Sequence, residues 1–221
     1  MEITWYGHSC FRLTERGMAT VVTDPFDHII AGYEPLKLKA DIVTVSHNSP
    51  GHNYTEAVKG DPKIITGAGE YEIGDVFITG IQTDGIGKKT EDEIRNTLYC
   101  FDYYGLVVAH LGDMSHVPTQ AEVESLGPVH IALVPVGAGG SLNAAKAAEV
   151  ISLLEPNIVI PMHYATEQSK PTNLETLQKF TKEMGLAAIE SLPSLKVTLS
   201  SLPEETHIYT LEYDHSKNGN A

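Results

Sequence analysis

Apolar positions in the first half of the chain alternate or bunch in short runs, and this spacing predicts strands. Runs at 2–6, 10–14, 18–23 and 41–46 are rich in β-branched and aromatic residues, and 63–66, 76–83, 97–102 and 106–111 continue the series. Further strands are predicted over 130–136, 157–161, 195–199 and 207–212. The turns Glu15-Arg16-Gly17 and Tyr103-Tyr104-Gly105 are short enough to close antiparallel hairpins. Helical spacing enters later. After Asn143, the residues Ala147, Val150, Ile151 and Leu154 fall at i, i+3, i+4 and i+7, and Pro156 ends the run. Thr119 with Glu122 and Thr172 with Glu175 both fit the S/T-x-x-E capping box, with Gly127 and Gly185 as stops. A shorter helix is expected after Asn53, with Glu56 three residues on.

This order, strands first and then strands alternating with helices, fits an α/β protein of two sheets covered by helices on their outer faces. No linker and no repeat divides it, so a single domain is expected over 1–212, with the polar stretch 213–221 as a flexible tail.

Composition narrows the classes of partner. With 15 basic and 29 acidic residues the net charge is −14, which disfavours nucleic acid and anionic membranes and leaves a small-molecule substrate or ligand. No run approaches the roughly 20 apolar residues of a membrane span. The start, MEITWYGHSCF, has no secretory pattern, and Cys10 and Cys100 stand alone as expected of buried thiols in a reducing cytoplasm.

Candidate chemistry sits at strand ends. The run 43–46 leads directly into His47-Asn48-Ser49-Pro50-Gly51-His52, a tight loop that can converge two imidazoles on one point, or can be a polar turn with two solvated histidines. The strand before His110 delivers Asp113 and His116, and there the alternative is an aspartate that caps a turn. The run 157–161 ends near His163, which alone reads equally as a structural histidine. Taken together, His47, His52, Asp113 and His163 form an N/O donor set suited to zinc or a similar divalent ion. The loop Val136-Gly137-Ala138-Gly139-Gly140 could offer backbone N–H groups to an anion, or simply make a tight turn.

The segments ITWYGHSCFRL, VVTDPF, VTVSHNSPGHN, GAGEYEIGDVFITGIQT, RNTLYCF, HLGDMSH, LVPVG and VIPMHY, in this order, resemble the metallo-β-lactamase superfamily. More narrowly, they are similar to its small bacterial branch related to ascorbate-6-phosphate lactonase. The resemblance implies an αββα four-layer sandwich with the active site at one edge, and it allows a homo-oligomer. It also exposes departures. The family's T/S-H-x-H-x-D-H motif reads here Ser46-His47-Asn48-Ser49-Pro50-Gly51-His52, so His47 and His52 match while the middle histidine is Ser49 and the aspartate is Gly51. A further family histidine falls at Asp84-Gly85-Ile86, where there is none. Asp113 matches the bridging aspartate and His163 the last histidine.

What this implies is a metal-dependent hydrolase with a reduced, mononuclear site. Zinc is the expected ion and manganese the substitute, held by His52, Asp113 and His163 with help from His47. The resemblance also places His8 close to the site. His8, His110 and His116 are candidate outer donors or a general acid beside Asp113, each with an ordinary hydrogen-bonded histidine as the alternative. Asp24-Pro25 resembles an element that supports the histidine loop from behind. The rival reading is a non-catalytic descendant, free of metal, that serves as a binding or interaction module.

Overall fold

The computed structural model describes residues 1–83 and 96–214. The first half of the chain is almost entirely strand, as its short β-branched runs require. It comprises β1 (Glu2–Trp5), β2 (Phe11–Thr14), β3 (Val21–Thr23), a one-turn helix α1 (His28–Ala31), β4 (Leu38–Lys39), β5 (Ile42–Val45), β6 (Val58–Lys59) and β7 (Lys63–Thr66). Next come β8 (Gly69–Ile73), β9 (Val76–Thr83), β10 (Asn96–Tyr103), β11 (Leu106–His110), α2 (Gln120–Leu126) and β12 (Ile131–Pro135). The chain continues with α3 (Ala144–Leu154), β13 (Ile158–Met162), α4 (Leu177–Glu183), β14 (Glu190–Leu192), β15 (Leu195–Lys196) and β16 (His207–Leu211).

Two mixed sheets result. One has six strands in the order β15-β1-β2-β3-β5-β7, and the other eight in the order β14-β16-β13-β12-β11-β10-β9-β8. In both, strands that lead into the candidate site are parallel to a neighbour (β3 with β5, β11 with β12, and β12 with β13), while β1, which also leads into it, is antiparallel to β15 and β2. β5, β12 and β13 are buried along their whole length, which their unbroken apolar runs demand because each is covered on both faces. Phe11 and Leu13 of β2 join Ile78 of β9 and Tyr99 and Phe101 of β10 in one continuous core between the sheets. Each such side chain contributes about 1.5–3 kcal/mol by leaving water. Tyr99 also ties the sheets together, since its hydroxyl accepts from Gly67 N–H at 2.8 Å and donates to the Val45 carbonyl at 3.1 Å.

The outer layers differ. Helix α3 packs on β12 and on α4 over the large sheet. Over the small sheet a second cluster (Phe26, Ala31, Tyr33, Leu38 and Val58 against Val22, Val43 and Val45) is supplied by α1, the ribbon β4–β6 and the chain between them. This is the αββα arrangement with one outer layer reduced to a single helical turn and a short ribbon.

Local signals hold where nothing competes with them. The Thr119–Glu122 capping box forms with both reciprocal bonds, and Asn143 caps α3 by accepting from Lys146 N–H. The Thr172–Glu175 box does not form, and α4 begins only after Thr176. The chain before it is held extended instead: Glu175 N–H donates to the Gly137 carbonyl at 2.7 Å, and Leu174 bridges Ala138. The helix expected after Asn53 is only a 3-10 turn, Thr55–Ala57, because the backbone then extends into β6 beside β4. Sequence reading passed over β8, an edge strand that opens on a glycine and carries only Tyr71 and Ile73 between the outward Glu70 and Glu72, too few apolar positions to stand out. Of the expected tail, Tyr213 and Asp214 are docked. The Tyr213 hydroxyl accepts from Glu34 N–H, and Asp214 N–H donates to the Trp5 carbonyl, so the chain follows the fold past 212.

Candidate metal centre

The site lies where the C-terminal ends of β1, β3, β5, β11 and β13 meet. Asp24 follows β3 in a left-handed conformation (φ 39°) and is fully buried. Its carboxylate accepts from Ser46 N–H at 2.7 Å, from the Ser46 hydroxyl at 2.6 Å and from His52 Nδ1 at 2.9 Å. It thereby fixes both ends of the 46–52 loop, which is folded on itself by His52 N–H and Asn53 N–H donating to the Ser49 carbonyl. Asp113 follows Gly112, whose φ of 57° only glycine adopts freely. Asp113 N–H is then captured by Asn96 Oδ1 at 2.8 Å, while the Asn96 amide donates to Thr83 Oγ1 and the Leu111 carbonyl. His163 follows β13 at φ 53°, with its N–H on the His8 carbonyl at 3.2 Å and its Nδ1 3.2 Å from Ser141 Oγ. His8, at φ 52°, lies in the turn between β1 and β2, and its carbonyl also accepts from Trp5 Nε1 at 3.1 Å. Three site residues thus hold an uncommon left-handed backbone, the kind of strain that surrounding structure sustains at functional positions.

The hydrogen bonds decide the tautomers. The Ser46 hydroxyl donates to Asp24 and the Ser141 hydroxyl donates to the Ala138 carbonyl. Each therefore accepts from the imidazole beside it: His47 Nδ1 at 3.0 Å on Ser46 and His163 Nδ1 at 3.2 Å on Ser141. Asp24 does the same for His52. All three imidazoles then turn an Nε2 lone pair toward the Asp113 carboxylate, at 3.6 Å for His47, 3.4 Å for His52 and 3.5 Å for His163. These separations exceed ordinary N–H···O bonds, which lie at about 2.7–3.2 Å. They match instead the spacing of roughly 3.4 Å between ligand atoms each about 2.1 Å from one tetrahedral ion. Asp113 Oδ1 is buried with no hydrogen-bond partner among the described residues. With the three imidazoles neutral, four acceptors converge with no donor between them, a conflict that a proton on His52 relieves in part and a divalent cation would resolve. Two overlapping triads have their ligand atoms within 4.8 Å of one another: His8, His52 and His163, and His47, His52 and Asp113.

Burial and mutual repulsion keep most of these groups neutral. Burial first, then neighbouring imidazoles, hold His8 well below the ordinary histidine value of 6.5. Burial likewise lowers His47 and His163, more than the Asp113 carboxylate restores. His52 goes the other way: against burial, Asp113 and then Asp24 raise it, making it the favoured resting place for a proton when no metal is bound. Burial pushes the Asp113 carboxyl up, but His52, His163 and His47 outweigh it and bring it below the usual range. Asp24 is also pushed up by burial, yet His110, His52 and Ser46 draw it down to about 2.

His47, His52, Asp113 and His163, all read from strand ends, are brought together, with His8 beside them. His110 is fully buried, its Nε2 on the Ser9 carbonyl at 2.9 Å and its Nδ1 accepting from Gly112 N–H at 3.2 Å, so it braces the Asp113 turn. The His116 imidazole is engaged by Glu122 of α2 at 3.2 Å and belongs to neither triad. The glycine loop spends its Ala138 N–H on the Leu142 carbonyl and delivers Ser141 to His163. Position 85 lies outside the described residues. Sequence reading missed Ser46, Asn96 and Ser141 as positioning groups. Ser46 stands in the histidine motif, but the bond that gives it a positioning role runs to Asp24, 22 residues away, as Asn96 reaches Asp113 over 17 residues and Ser141 reaches His163 over 22.

Fold and site together define a class: an αββα protein with a candidate His/Asp metal-binding site at its strand ends. Residues 2–163 match the β-lactamase superfamily domain, and the chain belongs to the metallo-β-lactamase superfamily. It is 36% identical to a superfamily protein from Thermotoga maritima whose crystal structure superposes with a TM-score of 0.77, covering 95% of this chain and 97% of that one. A UPF0173 metal-dependent hydrolase of Thermoplasma acidophilum is 28% identical over 190 residues, 75% of this chain and 84% of the relative. A metallo hydrolase from Ignicoccus hospitalis, 19% identical with a TM-score of 0.66 over 89% of this chain and 99% of that one, shares the fold. Among the described residues no helix is long and apolar enough to cross a membrane.

Proposed function

We propose that this chain is a metal-dependent hydrolase of small molecules that works with one divalent ion held by His52, Asp113 and His163, and cleaves an ester, lactone or phosphoester. The observation that carries the reading is the convergence of three Nε2 atoms on the two oxygens of the Asp113 carboxylate, whose Oδ1 has no hydrogen-bond partner among the described residues. When bound, a divalent ion supplies Lewis-acid chemistry and lowers the pKa of water from 15.7 toward about 7. The residues do the rest. Asp24, Ser46 and Ser141 fix which nitrogen each histidine presents, and Asp113 sets the negative charge the site offers. A count of one ion is supported by His52, which both triads share and which has a single Nε2 to offer once its Nδ1 is engaged by Asp24. Zinc is favoured by the imidazole-rich donor set, and the Thermotoga maritima protein was itself described as a candidate Zn-dependent hydrolase. The UPF0173 relative's name supports the hydrolase class. Cys10 and Cys100, both buried and unpaired, support a reducing compartment, the cytoplasm.

The test joins metal content with turnover. Protein purified without chelator is expected to carry one zinc per chain by mass spectrometry and to hydrolyse at least one ester, lactone or phosphoester of a chemical panel, with both lost in His163→Ala. Turnover of β-lactams and simple phosphodiesters is expected to be weak. A chain that takes up no zinc or manganese, and whose melting temperature neither ion raises, would be a binding module and not an enzyme of this kind.

A further inference from the structure

We infer that His8 is a direct metal ligand of this centre, standing in the space that a side chain at position 51 would otherwise occupy, so that the ion is held by His8, His52, His163 and Asp113. This rests on the metal-dependent reading above and changes its donor set.

Three observations carry it. His8, His52 and His163 each present a ring nitrogen within 4.8 Å of the others, and all three residues are buried. The His8 ring lies 4.3 Å from that of His163 and 4.8 Å from that of His52, centroid to centroid. Unlike His47, His52 and His163, His8 has no outer partner to explain its place: its Nδ1 is buried with no hydrogen bond among the described residues. Finally, a Cβ built on Gly51 would lie 3.1 Å from His8 Nε2, its nearest neighbour. Glycine at 51 therefore leaves room for this imidazole, and a longer side chain there would compete with it. The backbone is committed to the arrangement, because the His8 carbonyl is held from two sides by Trp5 Nε1 and His163 N–H. Chemistry agrees with geometry. Where the resembled motif has a carboxylate at this loop position, the chain has Gly51 and supplies an imidazole from the β1–β2 turn. The donor set becomes three nitrogens and one carboxylate, with expansion to five ligands leaving a place for water or substrate.

The test uses His8→Asn, chosen because asparagine tolerates the left-handed backbone at residue 8. Its folding is checked by circular dichroism and thermal melting without metal. Zinc affinity is measured by competition with a chromophoric chelator. The imidazoles around bound zinc are counted by X-ray absorption in the unsubstituted protein, in His47→Ala and in His8→Asn. The expected result is one ion with three imidazoles in the first two proteins and two in His8→Asn. Its dissociation constant should rise by about 100-fold or more, beyond the roughly 10–100-fold cost of losing an outer hydrogen-bond partner. Adding Gly51→Asp to His8→Asn should recover about tenfold or more of that loss, whereas Gly51→Asp alone should weaken binding by crowding His8.

Unchanged affinity in His8→Asn, or two imidazoles in His47→Ala, would overturn the assignment and leave the metal-dependent reading standing. So would a weakened His8→Asn that keeps three imidazoles and gains nothing from Gly51→Asp, since His8 would then only position other groups. An unsubstituted protein that binds no zinc would overturn the metal-dependent reading itself, and this inference with it.

Discussion

His52 donates through Nδ1 to Asp24 Oδ2 at 2.9 Å, with both side chains buried, and this one bond determines which nitrogen of His52 faces Asp113. Asp24 simultaneously accepts from the Ser46 N–H and hydroxyl, so a single carboxylate registers the two ends of the loop that carries His47 and His52. Replacing it by an amide keeps the shape and the tolerance for positive φ, but sets a donor against donors. Asp24→Asn should lower the stability of the metal-free protein by about 1–3 kcal/mol, the cost of a buried unsatisfied donor. It should also weaken zinc binding by about 10–100-fold. Urea denaturation and chelator competition measure the two effects; unchanged values in both would show that the loop holds its shape without Asp24.

The metal-free protein should become less stable as pH falls below about 6.5. Burial depresses His8, His47, His110 and His163 in the folded state, so below 6.5 the unfolded chain takes up protons that the native site refuses. His52 is raised and opposes them. His52 opposes them only above 6.5, where the native state alone holds its proton, so below that the four lowered groups set a slope of up to about four protons, at most about 5 kcal/mol per pH unit. The Asp24 contribution is present above its ordinary 3.8 and is lost only as pH falls toward about 2. Thermal melts between pH 8 and 5 with a chelator present test this, and a melting temperature that rises on acidification would contradict it.

Zinc affinity should respond to protons in two stages. Because His52 is raised, binding must expel its proton even somewhat above pH 6.5, giving a shallow one-proton dependence there. At lower pH the dependence steepens as the imidazoles held below the ordinary 6.5 begin to protonate as well. Calorimetry in buffers of different ionisation enthalpy counts the protons released; zero release at pH 7 would mean that His52 rests neutral.

Gly112→Ala should damage the centre without touching a ligand. Residue 112 stands at φ 57°, and an added Cβ would collide with the Asn96 Oδ1 that holds Asp113 N–H and with the Ser46 side chain that orients His47. We expect lower zinc affinity together with a stability loss of about 1–3 kcal/mol, in the range of overpacking. Loss of stability with native affinity would show that Asp113 is placed independently of its turn.

Much of this protein was determined by the sequence on its own, wherever neighbours along the chain decide the outcome. Strand periods, the Thr119–Glu122 capping box and the Asn143 cap involve residues a few positions apart, and they form as their spacing requires. Buried apolar strands that run directly into His47, Asp113 and His163 also announce a site, because the ends of parallel strands share one edge. The identical capping signature at Thr172 and Glu175 does not form, because the Gly137 carbonyl, remote in sequence, takes the Glu175 N–H first. Tertiary structure alone decided the tautomers, since Ser46 and Ser141 accept from imidazoles only because Asp24 and Ala138 consume their protons. It alone set His8 against Gly51 as well. Their meeting depends on how the β1–β2 turn and the loop after β5 pack against one another, a long-range contact that neither local sequence encodes.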